Sequence, residues 1–477
     1  MKRDRDDLLF LIGLVLWVAI LALTWPRALS FIDEIGYVGS ARLLLGGHLG
    51  HVAHSPGAWI STPNGPVAKF SLAFPALLAP FVALTPRAAF AVPVIATLLI
   101  AATARAALKS WGRSPLWALL VLGHPTLIIL ARTAMADVPQ AAAALGGWWL
   151  CKRGRTLGTI ACLAILVVLK PTGAVLALAI VAGEALTSAA ALRAREAAAW
   201  RRVGAGLAGG LSGLALSLAQ NWLATGTFRS VGYDTVFEHR RPFALVYATG
   251  RLPTHLVTLL FVPPLLLAGA WPFWRRRDLG PLLVVGGYLT MMCVYFFSDV
   301  GATRLETLVL SPRLILPVVV FLLVGYGAWL AGVIAGLRKN TKDGAMMMAP
   351  TPTPVWLASA LLLGPLAVTA AISVRHARYQ RAMGEVRVAA SARAEARTDD
   401  RTLGVTDNAL KAGVLNDGAT TVFNATTNRT PVVFCSELSA SHRDADQGHG
   451  MCGLPGYHVF AARDGFYALE RDADARR

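Results

Sequence analysis

Apolar residues in this chain are gathered into long uninterrupted runs, and the short stretches between them carry most of the charges. Many runs are about 17 to 24 residues long, the length that a helix needs to cross the hydrocarbon core of a bilayer. The first run, Leu8 to Trp25, follows a basic head and is not followed by a small-residue cleavage site. We therefore expect a retained signal anchor at the start of a polytopic membrane protein.

The later runs extend this pattern to an all-α membrane domain of about 11–13 transmembrane or re-entrant helices. They lie at 70–85, 88–108, 115–131, 138–150, 156–169, 172–188, 203–224, 255–274, 279–297, 314–337 and 355–374. The tail is polar, with short β-like runs such as Thr420–Phe423 and Pro431–Phe434 between turns rich in Asn, Asp and Gly. The chain is thus predicted to divide into a membrane domain, 1–374, and a small C-terminal α+β domain, 375–477.

The distribution of charge predicts the orientation. A formal net charge of +18 would suggest nucleic acid in a soluble protein, but here basic residues cluster in short loops, as the positive-inside rule requires. There is no phosphate-binding glycine loop, zinc-finger spacing or nucleic-acid motif. All basic loops fall in the cytoplasm if one run, the proline-rich 70–85, does not fully cross, or if the runs at 70–85 and 88–108 together make one net crossing. We expect a plasma (inner) membrane protein with a cytoplasmic N-terminus and an extracytoplasmic C-terminal domain.

The first outside loop, 26–69, contains a predicted amphipathic helix. Ile35, Val38 and Leu45 share one helical face, while Asp33, Tyr37 and Ser40 tend to another. We expect this helix to lie in the membrane interface with its acids facing water or a cavity, and to end at Gly46-Gly47. A capping box formed by Ser30 and Asp33 is an alternative explanation of the acidic start.

Acidic and basic residues converge on the predicted outside face, an arrangement that suits a reaction on a lipid phosphate. The group comprises Asp33, Glu34, Lys69, Arg132, Asp137, Lys170, Arg240, Arg241, Arg304, Glu306 and Arg313, with Glu238 and His239 beside the two central arginines. Simpler interpretations remain open: Asp137 could be a helix N-cap, Lys69 could reach to the interface, and Arg240 and Arg241 could contact the membrane surface.

Three other patterns predict structure rather than chemistry. Cys435 and Cys452 lie in the extracytoplasmic tail, where an oxidising compartment would allow a disulfide. The triplet His48, His51 and His54 is typical of a polar loop, although its spacing also permits a metal site. Trp148, Trp149 and Trp271 are expected in the interfacial aromatic belt.

Four local patterns, in this order, resemble the membrane-embedded C-type glycosyltransferases that use polyprenyl-phosphate sugars, including protein O-mannosyltransferase and aminoarabinose lipid A transferase relatives. They cover residues 1 to 330. Asp33-Glu34 is the first, and the stretch from Asn64 to Pro75 is similar to a Lys-Pro-Pro-Leu element but lacks the paired prolines after Lys69. Asp137-Val138-Pro139 resembles an Asp-x-Pro element, and Arg313 to Pro317 resembles Arg-Tyr-Leu-Leu-Pro with Leu314 in place of the aromatic. Lys170-Pro171-Thr172-Gly173 is also similar to a Thr-Lys-Pro-x-Gly stretch.

The resemblance implies a sugar transfer from a polyprenyl-phosphate donor to a cell-envelope acceptor, with inversion, in contact with membrane lipids and without nucleic acid. Asp33 would deprotonate the acceptor, while Glu34 would position the acceptor or the base. Lys69 and Arg313 would neutralise the lipid phosphate. Asp137 would lie beside the acidic pair, at a position that helps to hold a divalent metal ion in some relatives. Apart from the resemblance, Arg132, Arg240, Arg241 and Tyr37 are further predicted substrate contacts.

Two other classes of protein fit parts of the pattern. A transporter or flippase for a lipid-linked or anionic substrate would place ionisable groups near the membrane midplane and show two related halves, and neither is apparent in the sequence. A catalytically inactive relative that serves as an assembly subunit would not need Asp33 and Asp137.

Overall fold

We describe the protein from a computed structural model. The described residues are 2–26, 29, 32–47, 59–62, 65–68, 71–228, 243–295, 311–342, 367, 371, 374–375, 377–378, 381–390, 392–394, 396–397, 402–405, 420–423, 431–436, 457–463 and 466–472. The chain forms two compact units. The first unit comprises 1–23, 71–74 and 91–373, and the second comprises 24–70, 75–90 and 374–477. The predicted division into domains 1–374 and 375–477 stays a prediction.

Helices dominate the described part of the membrane region. They are α1 Lys2–Leu23, α2 Ile32–Leu45, α3 Ala73–Val82, α4 Ala91–Ser110, α5 Leu119–Gly123, α6 Pro125–Leu130, α7 Asp137–Lys152, α8 Thr156–Leu169, α9 Gly173–Thr187, α10 Ala189–Arg193, α11 Ala197–Thr225, α12 Ala248–Phe261, α13 Ala270–Arg275, α14 Leu279–Leu283, α15 Leu289–Cys293 and α16 Leu316–Lys342. The strands are β1 Trp59–Thr62, β2 Gly65–Ala68, β3 Thr402–Val405, β4 Thr420–Phe423, β5 Val432–Ser436, β6 Tyr457–Arg463 and β7 Phe466–Arg471.

Four helical segments are long and apolar enough to cross a membrane by length and composition: Arg5–Leu23, Pro86–Ser110, Ala197–Leu223 and Leu316–Ala335. Four shorter apolar helical segments accompany them, Ala73–Val82, Thr156–Leu169, Gly173–Thr187 and Leu279–Cys293. Helix α3 has 10 residues, hence a length of about 15 Å, roughly half the hydrocarbon thickness. The expectation that the run at 70–85 does not fully cross fits this length.

Prolines interrupt two of the predicted continuous spans. The run at 115–131 is broken between α5 and α6, because His124 before Pro125 adopts an extended conformation. The run at 255–274 is broken between α12 and α13 by Val262-Pro263-Pro264, where the Val262–Pro263 bond is cis. His124 Nε2 lies 3.0 Å from the carbonyl oxygen of Val262, so the two breaks are joined to each other.

Charged side chains in the first unit gather at two ends of the helices. At one end, Asp7 of α1 pairs with Arg105 and Lys109 of α4 at 2.8 and 2.6 Å. At the same end, Lys152 at the end of α7 lies 2.8 Å from Glu184 and 3.1 Å from Asp278. Trp111, Trp148 and Phe273 connect these groups edge to face. This end, here called the basic end, therefore carries the loops at 109–113, 152–155, 193–202 and 275–277, as the charge pattern predicts.

The core of the first unit is apolar and contains one tryptophan whose predicted position is wrong. Trp148 was expected in the interfacial belt, yet it is 2% exposed and packs against Phe273 and Phe321. Its Nε1 donates a hydrogen bond to Asp278 Oδ2 at 3.3 Å, which satisfies the buried indole. Trp271, at 52% exposure, fits the belt prediction.

The first outside loop differs in part from its predicted form. Helix α2 ends at Gly46-Gly47 as predicted, with Gly47 at a φ of +78°, a conformation that glycine adopts without steric cost. The amphipathic interpretation is wrong, because Tyr37 and Ser40 of the polar face are buried while Leu45 is exposed. Strands β1 and β2 form an antiparallel hairpin in which Thr62 pairs with Gly65. Ser30 and the histidine triplet lie outside the described residues.

The C-terminal part of the second unit is the predicted α+β structure. Its five strands have the order β4-β3-β5-β7-β6, with parallel pairing of β3 to β4 and β5 and antiparallel pairing of β7 to β5 and β6. Helical residues 381–390 pack on the sheet through Ala382, Met383 and Val386. Arg393 and Arg397 bind Glu470 at 2.7 and 3.1 Å, and the hydrogen bond from Arg393 lowers the pKa of that carboxyl. Cys452 lies outside the described residues, so the predicted Cys435–Cys452 disulfide stays a prediction.

Backbone contact through two glycines holds α16 against the 3₁₀ turn Leu266–Gly269. A Cβ added at Gly325 would lie 1.9 Å from the carbonyl oxygen of Gly269, and one at Gly269 would lie 2.0 Å from that of Leu322. A side chain at either position would therefore force the neighbouring backbone to move. The first unit therefore depends on both glycines.

We expect Gly325→Ala to destabilise the protein by about 1–3 kcal/mol or more, the usual effect of overpacking. The measurement is the thermal unfolding midpoint of the purified protein in detergent. Gly286→Ala is the matched control, because a Cβ there meets nothing within 4 Å. Equal midpoints for the two variants would show that the close approach at Gly325 is not required.

Candidate functional site

A buried carboxylate lies at the end of the first unit opposite the basic end. Asp137 is 3% exposed and begins α7, whose last residue is Lys152. Lys170 Nζ donates to Asp137 Oδ1 at 2.7 Å, and Arg313 Nε lies 3.5 Å from Oδ2. The first contact is a strong charge-assisted hydrogen bond, and the second is an ion pair at the limit of hydrogen-bond distance. We call these three residues the Asp137 cluster.

Local sequence explains how each member reaches the cluster. Lys170 precedes Pro171, which disfavours helical conformation, so α8 ends and Lys170 is extended with a φ of −151° and a ψ of 140°. Arg313 ends the 3₁₀ turn Ser311–Arg313 just before α16. The hydroxyl groups of Ser311 and Thr258 are 3.4 Å apart, which connects this turn to α12.

Asp137 does not cap its helix. Residue 136 occupies the N-cap position without a side-chain hydrogen bond, and both Asp137 oxygens face the two cations instead. The N-cap interpretation of Asp137 is therefore wrong. The approach to α7, residues 131–136, is buried throughout, and Arg132 within it is 3% exposed.

Uncharged polar groups continue the cluster along α7. Gln140 Nε2 donates to Thr172 Oγ1 at 3.0 Å, and the hydroxyl of Tyr288 donates to the same oxygen at 3.3 Å. Thr172 follows Lys170 closely, so the hydrogen bonds restrain the loop that carries the lysine. None of these three residues was predicted at the site from the sequence. The spacing of Gln140, three residues after Asp137 on α7, is the signal that could have identified it.

The donor set around Asp137 does not fit a divalent metal ion. Both carboxylate oxygens face cationic side chains, and a metal ion brought there would be repelled by Lys170 and Arg313. Among the residues that the structure describes, no three His, Cys, Asp or Glu side chains are grouped as metal ligands. The predicted role of Asp137 as a metal ligand therefore does not fit its surroundings.

The acidic pair in the second unit has two different environments. Glu34 is fully buried, at 0% exposure, whereas Asp33 is partly exposed. Tyr37, one turn after Glu34 on α2, is 4% exposed. Asp33 is thus the member of the pair that a molecule from solution can reach, and Glu34 and Tyr37 are built into the packing of the helix.

The structure brings together some of the predicted residues and leaves others undescribed. Asp137 and Arg313 are in contact, and Lys170, predicted on the same face but given no site role, joins them. The motif Lys170-Pro171-Thr172-Gly173 is the sequence signal that could have identified this lysine. The predicted substrate residues Lys69, Arg240 and Arg241 lie outside the described residues, as do Glu238 and His239.

No protein-family model matches the chain, and no curated protein sequence matches it. Solved structures with the same fold do exist. ArnT from Cupriavidus metallidurans, both in the apo state and bound to undecaprenyl phosphate, matches with a TM-score of 0.55 at 15% identity, over 96% of this chain and 98% of ArnT. The apo Archaeoglobus fulgidus oligosaccharyltransferase matches with a TM-score of 0.51 at 10% identity, over 91% of this chain and 70% of that one. The chain has the C-type glycosyltransferase membrane fold, which confirms the predicted fold class.

We expect Asp137→Asn to lower stability by about 3–5 kcal/mol, because it removes the carboxylate charge that two partly buried cations face. The thermal unfolding midpoint in detergent measures this, with Glu196→Gln at an exposed acid as the control. Adding Lys170→Met to Asp137→Asn should restore part of the loss, since it removes one uncompensated cation. If Asp137→Asn unfolds at the same temperature as the control, the cluster does not stabilise the fold.

Proposed function

We propose that this protein is an integral membrane glycosyltransferase that moves one sugar, a hexose or a pentose, from a polyprenyl-phosphate donor to an extracytoplasmic lipid, glycan or protein acceptor. The fold supports a reaction of this class, and one of the similar structures, ArnT, is bound to undecaprenyl phosphate. The order of the motifs around Asp33, Lys69, Asp137 and Arg313 adds independent support from the sequence.

The observation that carries the proposal is the convergence of two cations on one buried carboxylate. Lys170 and Arg313 reach Asp137 from two different segments of the chain. Both side chains are largely shielded from solvent, at 18% and 9% exposure, where electrostatic attraction is stronger than in water. A phosphate group is a suitable partner for cations held in this way.

In the proposed reaction, Asp33 accepts the proton of the acceptor hydroxyl or amine as it attacks the anomeric carbon. Attack from the face opposite the phosphate breaks the bond between the anomeric carbon and the phosphate oxygen, and the configuration inverts. The bonding electrons pass to the polyprenyl phosphate, whose negative charge grows in the transition state. Fixed cations lower the energy of that state, and Arg313 and Lys170 are our candidates.

Glu34 is assigned the positioning of Asp33. Its carboxylate is buried, so it is less suited than Asp33 to reach an incoming acceptor. Tyr37, Arg132, Lys69, Arg240 and Arg241 remain proposed substrate contacts. A transporter remains the alternative, but the charge clusters of the first unit lie at the ends of its helices, and a transporter would be expected to hold ionisable groups near the midplane.

We expect Asp33→Asn to reduce sugar transfer by about 10²- to 10⁴-fold while donor binding persists, because the variant keeps the shape of the side chain but loses the base. The assay uses purified protein in liposomes, with polyprenyl-phosphate sugars and an envelope extract as acceptor. Glu196→Gln serves as the control variant. Full transfer by Asp33→Asn would exclude it as the base, and absence of transfer by the parent protein would refute the proposed function.

We expect Arg313→Ala to weaken binding of undecaprenyl phosphate by about 10- to 100-fold, since a hydrogen bond between charged groups contributes about 1.5–3 kcal/mol. The dissociation constant is measured directly on the purified protein. Arg201→Ala, at an exposed arginine of the basic end, should leave it unchanged. Equal affinities for the parent and Arg313→Ala would remove Arg313 from the phosphate site.

A further inference from the structure

A second group of cations surrounds a cavity at the basic end of the first unit. The cavity has a volume of about 540 Å³ and lies between the loop after α4, the end of α13 and the second half of α16. Its lining includes three arginines and two tryptophans: Arg113, Arg275, Arg276, Trp271 and Trp329. We call it the arginine pocket. It is lined by residues in the second half of α16, whereas Arg313 precedes the start of that helix, so the pocket is separate from the Asp137 cluster.

None of the residues that line the arginine pocket is acidic. Among the described residues, Arg113, Arg275 and Arg276 form no ion pair with a carboxylate, and the nearby Asp278 is engaged by Lys152 and Trp148. Burial, and then the charge of Arg113, lower the pKa of Arg276, which follows the end of α13. The pocket thus brings together three positive charges, none of which is paired with a carboxylate in the described part of the chain.

Aromatic contacts restrain two of the arginines. The guanidinium carbon of Arg276 lies 4.9 Å from the ring centre of Trp111, and that of Arg275 lies 5.9 Å from the ring centre of Trp271. On α16, Gly332 lies beside Arg113, since a Cβ at that position would be in van der Waals contact with Arg113 Nη2, at 3.6 Å. Arg275 and Arg276 are thus restrained before any ligand binds.

The surroundings of the pocket are those of a membrane interface. Trp271 and Trp274 are 52% and 65% exposed, and Val333 of the pocket wall is 40% exposed. Exposed tryptophans at the end of membrane helices mark the level of lipid head groups. Basic loops at the same end predict that this level is in the cytoplasmic leaflet, which contains anionic lipids.

We propose that the arginine pocket binds the head group of an anionic phospholipid from the cytoplasmic leaflet. The phosphodiester lies among Arg113, Arg275 and Arg276, and the acyl chains follow the exposed apolar surface beside Trp271 and Val333. Guanidinium groups suit this ligand because their donors match the oxygens of a phosphate. The inference concerns lipid binding and does not depend on the proposed transfer reaction.

The test is a titration of the full-length protein with phosphatidylglycerol in detergent, with bound lipid counted by native mass spectrometry. Parallel titrations use phosphatidylcholine, undecaprenyl phosphate and inorganic phosphate. The pocket variant carries Arg113→Gln, Arg275→Gln and Arg276→Gln. The matched control removes the same charge from exposed arginines of the same end, by Arg155→Gln, Arg193→Gln and Arg201→Gln. A further variant, Gly332→Leu, fills the pocket without changing its charge.

The parent and the matched control should bind one phosphatidylglycerol tightly, and the pocket variant and Gly332→Leu should bind it about tenfold or more weakly. Similar losses in the pocket variant and the matched control would overturn the proposal, because binding would then reflect overall charge. Retained affinity in Gly332→Leu would overturn it as well. Competition by inorganic phosphate at the same affinity, or preference for undecaprenyl phosphate, would assign the pocket to a different ligand and refute the phospholipid assignment.

Discussion

One end of the first unit depends on the ion pairs that the buried carboxylate of Asp137 forms. Removing a carboxylate from water costs several kcal/mol unless opposite charges and hydrogen bonds replace the lost hydration. Lys170 and Arg313 supply those charges from two segments remote in sequence, the loop after α8 and the turn before α16. The start of α7, the end of α8 and the start of α16 are thus fixed together at one point.

Ion pairs join helices at both ends of the first unit. At the basic end, Lys152 and Arg202 are paired with Glu184 and Asp278, which holds α7, α9 and α11 together. In the Asp137 cluster, two cations face one buried carboxylate. Cations placed in this way suit a phosphate group, which is the ligand proposed for them.

Sequence was sufficient for the features that depend on local composition. Runs of apolar residues predicted α8 and α9 nearly to the residue, and Gly46-Gly47 predicted the end of α2. A hydropathy average depends only on residue type and not on backbone geometry. It therefore could not show that His124-Pro125 divides one predicted span. The burial of Trp148 depends on Asp278, which lies 130 residues away, and a tryptophan near a basic loop is equally compatible with a membrane interface.

The candidate site shows the same limit at closer range. Topology placed Asp137, Lys170 and Arg313 on one face, but only the fold shows that the lysine and the arginine share one carboxylate. The Asp33-Glu34 pair is a further case. Adjacent residues on a helix point about 100° apart, so two neighbouring acids can meet different surroundings. The sequence predicts that the two roles divide, and the burial of Glu34 is consistent with the proposal that it positions its neighbour, while the partly exposed Asp33 can be reached from solution.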